Sequence, residues 1–207
     1  MIDYAAFQRL SPTTLADVLS RDWVMDMGIR PLWEGMPRIA GAAYTVRCAP
    51  GDNLMLHAAI YRAPPGSVIV VEAGDLDYAV AGGNVCAVAQ KHGIAAFVID
   101  GVIRDLAEAR ANRFPVFARG ISPIPGGKDV LAALNSPIRC GGVNVSPGDV
   151  VVADEEGIVV VPLERWESVL EAAQVRAAKD AAETLESWET AHRARIQAIL
   201  RSKGFAE

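Results

Sequence analysis

The 207-residue sequence has no apolar run near the roughly 18 residues that a membrane span requires. Its start, MIDYAAFQRL, also lacks the basic and apolar regions of a secretory signal. A cytoplasmic protein with no membrane partner is the expectation. Positive charge is scarce as well: 20 Lys and Arg stand against 25 Asp and Glu, a net charge of -5. That balance argues against a surface that tracks phosphates, so no nucleic-acid partner is expected. The three cysteines, Cys48, Cys86 and Cys140, are too few, too far apart and too apolar in context for a disulfide framework or a zinc site, and read as reduced core thiols. None of the three histidines has a second histidine at ligand spacing, which argues against a zinc hydrolase. There is no complete G-x-G-x-x-G for a dinucleotide, and Ser122 and Ser146 sit in turn-like contexts without a nucleophile elbow. No repeat, low-complexity tract or clear linker divides the chain.

What the chain does have is apolar content, 51% of its residues, enough for the core of one large domain with a terminal extension. Ser11 can cap a short helix with Pro12 in its first turn, and apolar residues return at Leu15 and Leu19. RIAGAAYTVRCAPGD reads as a strand running into a turn. Asp52 or Asn53 then caps a helix expected over Leu54 to Ala63, stopped by Pro64-Pro65-Gly66, and SVIVVEA follows as a buried strand. From Ile138 to Val161, β-rich runs alternate with Ser146-Pro147-Gly148-Asp149 and Asp154-Glu155-Glu156-Gly157, the rhythm of strands joined by tight turns. From Leu163 to about Arg201 neither Gly nor Pro interrupts an Ala-, Glu-, Arg- and Leu-rich segment, which predicts a long helix or a broken pair of helices.

The stretch GGNVCAVAQKHGIAAFVIDGVIRD, from Gly82 to Asp105, concentrates the chemistry. Small residues at helical spacing lead into an apolar run, Ile94 to Ile99, with the β-branched and aromatic content of a strand. Arg104 and Asp105 therefore leave the carboxyl end of a strand, and a helix and the short strand PVFAR come next. Loops at the carboxyl ends of parallel strands converge on one crevice, where ligand sites collect. Asp100, closing the strand, is expected to bond local backbone. His57 is expected to be a partly buried histidine with a hydrogen-bond partner, and His92 and His192 to lie on the surface.

In order and spacing, the blocks GDNLMLH, GG-N-V, GIAAFVIDGVIRD, FPVFARGISP and CGGVNVSPGDVVVADEEGIVVVP resemble the RraA-like family. That family comprises regulators of ribonuclease E activity and 4-hydroxy-4-methyl-2-oxoglutarate aldolases. The resemblance runs from Ser11 to the terminal helix. It implies an α/β fold, a swivelling β/β/α domain with mixed sheets and a long C-terminal helical segment. Residues 1–162 would form the core and 163–207 a helical extension at a subunit interface, in a homotrimer or hexamer. By position, Arg104 is similar to the arginine that binds the substrate carboxylate and Asp105 to the aspartate that holds a divalent cation, Mg2+ or Mn2+. Gly82 and Gly83, with the backbone N–H groups of Asn84 and Val85, match the substrate-binding positions. Asp180 aligns with an acidic residue that reaches a neighbouring subunit's site.

Elementary chemistry is consistent with those roles. Cleaving a carbon–carbon bond next to a 2-oxo acid leaves an enolate whose oxyanion needs a cation, and hard cations prefer carboxylate and water oxygens. A guanidinium fits the substrate carboxylate bidentately, and N–H groups at a helix start add anion contacts. One departure stands out: aldolase relatives carry an acidic residue 21 positions before the arginine, where this chain has Gly83. Asp75 or Asp77 in the preceding loop is a candidate substitute whose direction the sequence does not give, and, if a lost proton shuttle limits aldol activity, Gly83→Asp is expected to raise aldol cleavage more than oxaloacetate decarboxylation. The resemblance implies a metal-dependent lyase of 2-oxo acids, a class II pyruvate aldolase, an oxaloacetate decarboxylase, or both. The alternative is a non-catalytic regulator that binds a ribonuclease.

Overall fold

In the computed structural model, which describes residues 1–205, the first helices are set by their caps. Asp3 caps α1 (Tyr4–Gln8), and Ser11 caps α2 (Pro12–Ala16) by accepting from the Thr14 N–H. A 3-10 turn at Arg21–Trp23 leads to β1 (Arg30–Pro31) and β2 (Ile39–Arg47). Helix α3 (Leu54–Ala59), β3 (Val68–Glu72), β4 (Ala79–Ala81), α4 (Gly83–Lys91), β5 (Ala96–Ile103), α5 (Leu106–Ala111) and β6 (Val116–Ile121) follow. The short strands β7 (Ile138–Cys140), β8 (Val143–Val145), β9 (Val150–Asp154) and β10 (Gly157–Val161) precede a helical end, α6 (Trp166–Ala182) and α7 (Leu185–Ser202).

The main sheet runs β1-β6-β5-β3-β2-β9-β10, with β4 added beside β5. Its centre, β2, β3, β5 and β6, is parallel, whereas β1, β9 and β10 pair antiparallel. A bridge from Val24 to Val159 brings the ends together, so the mixed sheet nearly closes on itself. Strand β3 is buried on both faces, which is why it reads as an unbroken apolar run. Ile69 and Val71 face the layer of α3, α4 and α5, while Val68 and Val70 face an interior that β7, β8 and β9 complete. A third cluster seats α1, α2 and α6 on β9 and β10 through Phe7, Leu15 and Val169. The mixed-sheet α/β fold with a long helical end is thus the one expected.

Three local expectations change. Helix α3 stops at Ala59 rather than Ala63, and the chain goes on as tight turns in which the Arg62 and Ala63 N–H groups both donate to the Ala59 carbonyl before Pro64 ends them. Strand β5 begins at Ala96, since the Ile94 N–H closes onto the Ala89 carbonyl, and it continues to Ile103. That continuation passes an irregularity between Ile99 and Val102, where Gly101 lies so close to β3 that an added Cβ would sit 2.4 Å from Ala73 Cβ. Asp100 is therefore mid-strand. It pairs with Arg119 and accepts from the Gly141 N–H at 2.8 Å, a long-range lock rather than a local turn.

The terminal helices break at Glu183 and Thr184, where Thr184 and Ser187 form a reciprocal cap that starts α7. Helix α6 buries Val169 and Ala173, whereas α7 buries nothing. Among the described residues no helix is long and apolar enough to cross a membrane. All three cysteines are free and buried.

Candidate functional site

Strand β5 delivers Arg104 one residue past its end, and the Arg104 N–H donates to the Ala81 carbonyl at 2.9 Å, fixing it beside β4. Asp105 then turns the chain with φ 55°, a left-handed conformation that aspartate tolerates better than most residues. Although Asp105 is the N-cap residue of α5, its side chain does not cap that helix. Instead Oδ2 accepts from the Gly83 N–H at 3.2 Å and lies 3.4 Å from Arg104 Nε. The carboxylate is turned from its own helix to the start of α4.

The two glycines are explained by what lies on them. A Cβ on Gly82 would sit 2.5 Å from Asp105 Oδ2 and 3.2 Å from Arg104 Nε. A Cβ on Gly83 would sit 1.8 Å from Glu108 Oε2 and 2.7 Å from Glu108 Cβ. So Gly83 does not leave an empty place: the carboxylate of Glu108, three residues beyond Asp105 on the same face of α5, occupies it. Both charges are felt by Cys86 in the first turn of α4, whose thiol is pushed up to about 12, by burial first and then by Asp105 and Glu108. Sequence reasoning missed Glu108; the i, i+3 spacing from Asp105 was the available signal.

Two expectations about carboxylates are corrected here. Asp75 accepts from the N–H groups of Gly51, Asp77 and Tyr78, so it is committed to its own loop, and neither it nor Asp77 lines the Arg104 cavity. Nor does Gly83→Asp simply add an acid, because the new side chain must displace Glu108 and shift α5. We expect that variant to be destabilised by about 1–3 kcal/mol, the usual cost of overpacking, which denaturant unfolding checks.

Arg104, Asp105, Gly82, Asn84 and Val85 line one cavity of about 80 Å³. A second cleft of about 250 Å³, on the side of Leu106 and Ile121, shares Arg104 and Asp105, so the pair stands between two openings. The N–H groups of Asn84 and Val85, at the start of α4, have no protein acceptor among the described residues. Asp180 does not join this group. It pairs with Arg176 at 2.8 Å beside the cleft between α6 and α7.

The opposite contribution comes from the segment before and within α3, and from Lys128. Asp52, not Asn53, caps α3, accepting from the Leu54 N–H at 2.8 Å and from Asp129 and Val130 at 2.6 and 3.2 Å. Asn53 is 3% exposed; its Nδ2 donates to the Gly126 carbonyl at 3.2 Å, and its Oδ1 is buried without a donor among the described residues. His57 is half-buried as expected, yet its ring has no hydrogen-bond partner among the described residues, contrary to expectation. Burial and then the Lys128 ammonium hold its pKa below the usual histidine value, against the opposing Asp52 charge. His92 and His192 are exposed.

Asp105, with Glu108 three residues on in α5, offers the carboxylate oxygen that a hard cation keeping most of its water would take, and Glu108 itself lines neither opening. Asp105 Oδ1 and the Glu108 carboxylate face no protein donor, and no cluster of three or more His, Cys, Asp or Glu exists among the described residues, as a dehydrated zinc site would need.

Comparison with known proteins identifies the family. A family model described as Aldolase/RraA matches residues 12–160. A Halalkalibacterium halodurans protein provisionally named 4-hydroxy-4-methyl-2-oxoglutarate aldolase is 42% identical over 183 residues, 87% of each chain. Among solved structures, Streptomyces coelicolor RraAS2, described as an unusual member of the RNase ES inhibitor RraA family, superposes with a TM-score of 0.74 at 29% identity, over 92% of this chain and 94% of that one. An uncharacterized Pseudomonas syringae protein gives 0.77 at 30% identity, over 91% and 92%.

Proposed function

Because the chain belongs to the Aldolase/RraA family, we propose that it is a lyase of 2-oxo acids in which Arg104 binds the substrate and Asp105 holds a divalent cation, Mg2+ or Mn2+. The observation that carries this reading is the adjacency of Arg104 and Asp105 on a cavity that also presents the two unpaired N–H groups of α4. The Arg104 guanidinium offers a planar fork to the substrate carboxylate, and the Asn84 and Val85 N–H groups add donors to the same anion. Asp105 and Glu108 supply oxygen for the cation and its waters. When bound, the cation would stabilise the negative charge that develops on the 2-oxo oxygen as the adjacent carbon–carbon bond breaks. The reactions that fit are retro-aldol cleavage of 4-hydroxy-4-methyl-2-oxoglutarate-like acids to pyruvate and a second carbonyl compound, and decarboxylation of oxaloacetate.

The exposed Leu185, Trp188, Ile196 and Ile199 of α7 support a homotrimer or hexamer with this helix at the interface. The likeness to RraAS2 favours a second reading, a regulator that binds a ribonuclease. Pyruvate release from a panel of 2-oxo acids, with magnesium and with excess chelator, decides between them. The lyase reading expects release that chelation abolishes and magnesium restores. Full turnover in chelator rules out the cation role, and silence across the panel leaves the regulator.

A further inference from the structure

Retro-aldol cleavage needs one thing that decarboxylation does not. The hydroxyl on the carbon destined to become the second carbonyl must lose its proton as the bond to C3 breaks. Arg104 is permanently protonated, and Asp105, whose Oδ2 accepts from the Gly83 N–H, is given to the cation in the lyase reading. Neither is free to take that proton. The same cavity, however, is lined by three polar side chains that the carboxylate and cation roles leave unused, Lys128 and, at the start of α3, the pair Asn53 and His57.

Each lacks what the other offers. Among the described residues Asn53 Oδ1 is a buried acceptor with no donor, and its orientation is fixed because Nδ2 already serves the Gly126 carbonyl. Leaving such an acceptor unpaired is costly, so a native structure that keeps one calls for an explanation. His57 follows four residues later, with its N–H bonded to the Asn53 carbonyl at 3.2 Å, and both residues line the same cavity. A neutral imidazole has one N–H to donate and one bare nitrogen. Donating to Asn53 Oδ1 would fix the tautomer and leave the bare nitrogen as a base, the arrangement by which a third group orients a catalytic histidine. Hydrogen bonds of this kind are often long before substrate arrives.

We infer that His57 is the base that accepts the substrate hydroxyl proton in aldol cleavage, and that Asn53 is its positioning residue. The inference rests on the lyase reading above. As the C3–C4 bond breaks, its electron pair goes to the pyruvate enolate, the C4 oxygen becomes a carbonyl oxygen, and the hydroxyl proton goes to His57. The enolate then takes a proton from water at C3, and the imidazolium releases its own to solvent. The charges around His57 are Lys128, Asp52, and Arg104 with Asp105; the first keeps the ring neutral together with burial, as a base must be.

The test compares two reactions in the magnesium-loaded enzyme. His57→Gln is expected to slow cleavage of a 4-hydroxy-2-oxo acid by about 100-fold or more, the usual contribution of a general base, while oxaloacetate decarboxylation changes by less than about threefold. Oxalate binding by calorimetry should be unchanged. Asn53→Asp places a carboxylate beside the ring, raises its pKa, and so should move the acidic limb of the aldol pH profile to higher pH. NMR titration of His57 in the protein without added metal reads the same shift independently of activity. Equal losses in both reactions, unimpaired cleavage by His57→Gln, or an unmoved His57 titration in Asn53→Asp would overturn the inference. If the wild type neither decarboxylates nor binds oxalate, the lyase reading itself fails and this inference falls with it.

Discussion

Asp105→Asn should fold like the wild type and yet lose cation-dependent pyruvate release, with manganese binding, followed by electron paramagnetic resonance, weakened at least tenfold. The choice of asparagine matters. Asp105 sits at φ 55°, and its Oδ2 accepts from the Gly83 N–H. Asparagine tolerates the left-handed conformation and keeps an acceptor oxygen, so it removes the charge alone. Alanine would remove the turn preference and the acceptor as well, adding about 1–2 kcal/mol of instability to any loss of function. In the lyase reading a small hydrated cation would draw its protein affinity from Asp105 and Glu108, so neutralising one should be felt fully. Undiminished manganese affinity in a folded Asp105→Asn protein would remove the aspartate from the cation site.

Arg104→Lys preserves charge and loses the fork. A lysine ammonium reaches a carboxylate as a single point, whereas the guanidinium can meet both oxygens, so the expected cost is about 1.5–3 kcal/mol, roughly tenfold to a hundredfold in affinity. Oxalate, flat and shaped like the pyruvate enolate, is the suitable probe. With magnesium present it should inhibit the wild type and bind the variant correspondingly less well, read by steady-state kinetics or calorimetry. Equal oxalate affinity in both proteins would make Arg104 structural and bring the regulator reading forward.

Much of this site was legible in the chain. The position of Arg104 and Asp105 at a strand end follows from apolar periodicity, and the buried parallel strand SVIVV from its unbroken β-branched run. The Ser11 cap was equally readable, because caps act locally, whereas the terminal segment left one long helix and a broken pair both open. What escaped depends on contacts distant in sequence. Asp100 looked like a strand end because Gly101 interrupts the pattern, and only the fold brings Arg119 and Gly141 to it. Glu108 looked like an ordinary first-turn acid, and only the approach of α5 to α4 sets it on Gly83. His57 was assigned a partner on general grounds, and the surroundings that deny it one come from three separate segments.

The contact between Gly83 and Glu108 also bears on how such a site changes over generations. A side chain at position 83 and a glutamate at position 108 compete for the same space, so the two positions are not free to vary alone. An acid could migrate from one helix to the other only through an intermediate that carries neither, or one strained by carrying both. The first of these passes through a site with one carboxylate fewer and the second through a less stable fold. Positions 83 and 108 should accordingly drift as a pair, with glycine at the former wherever the latter keeps its carboxylate, and a bulkier residue tolerated at 83 only after 108 has become small.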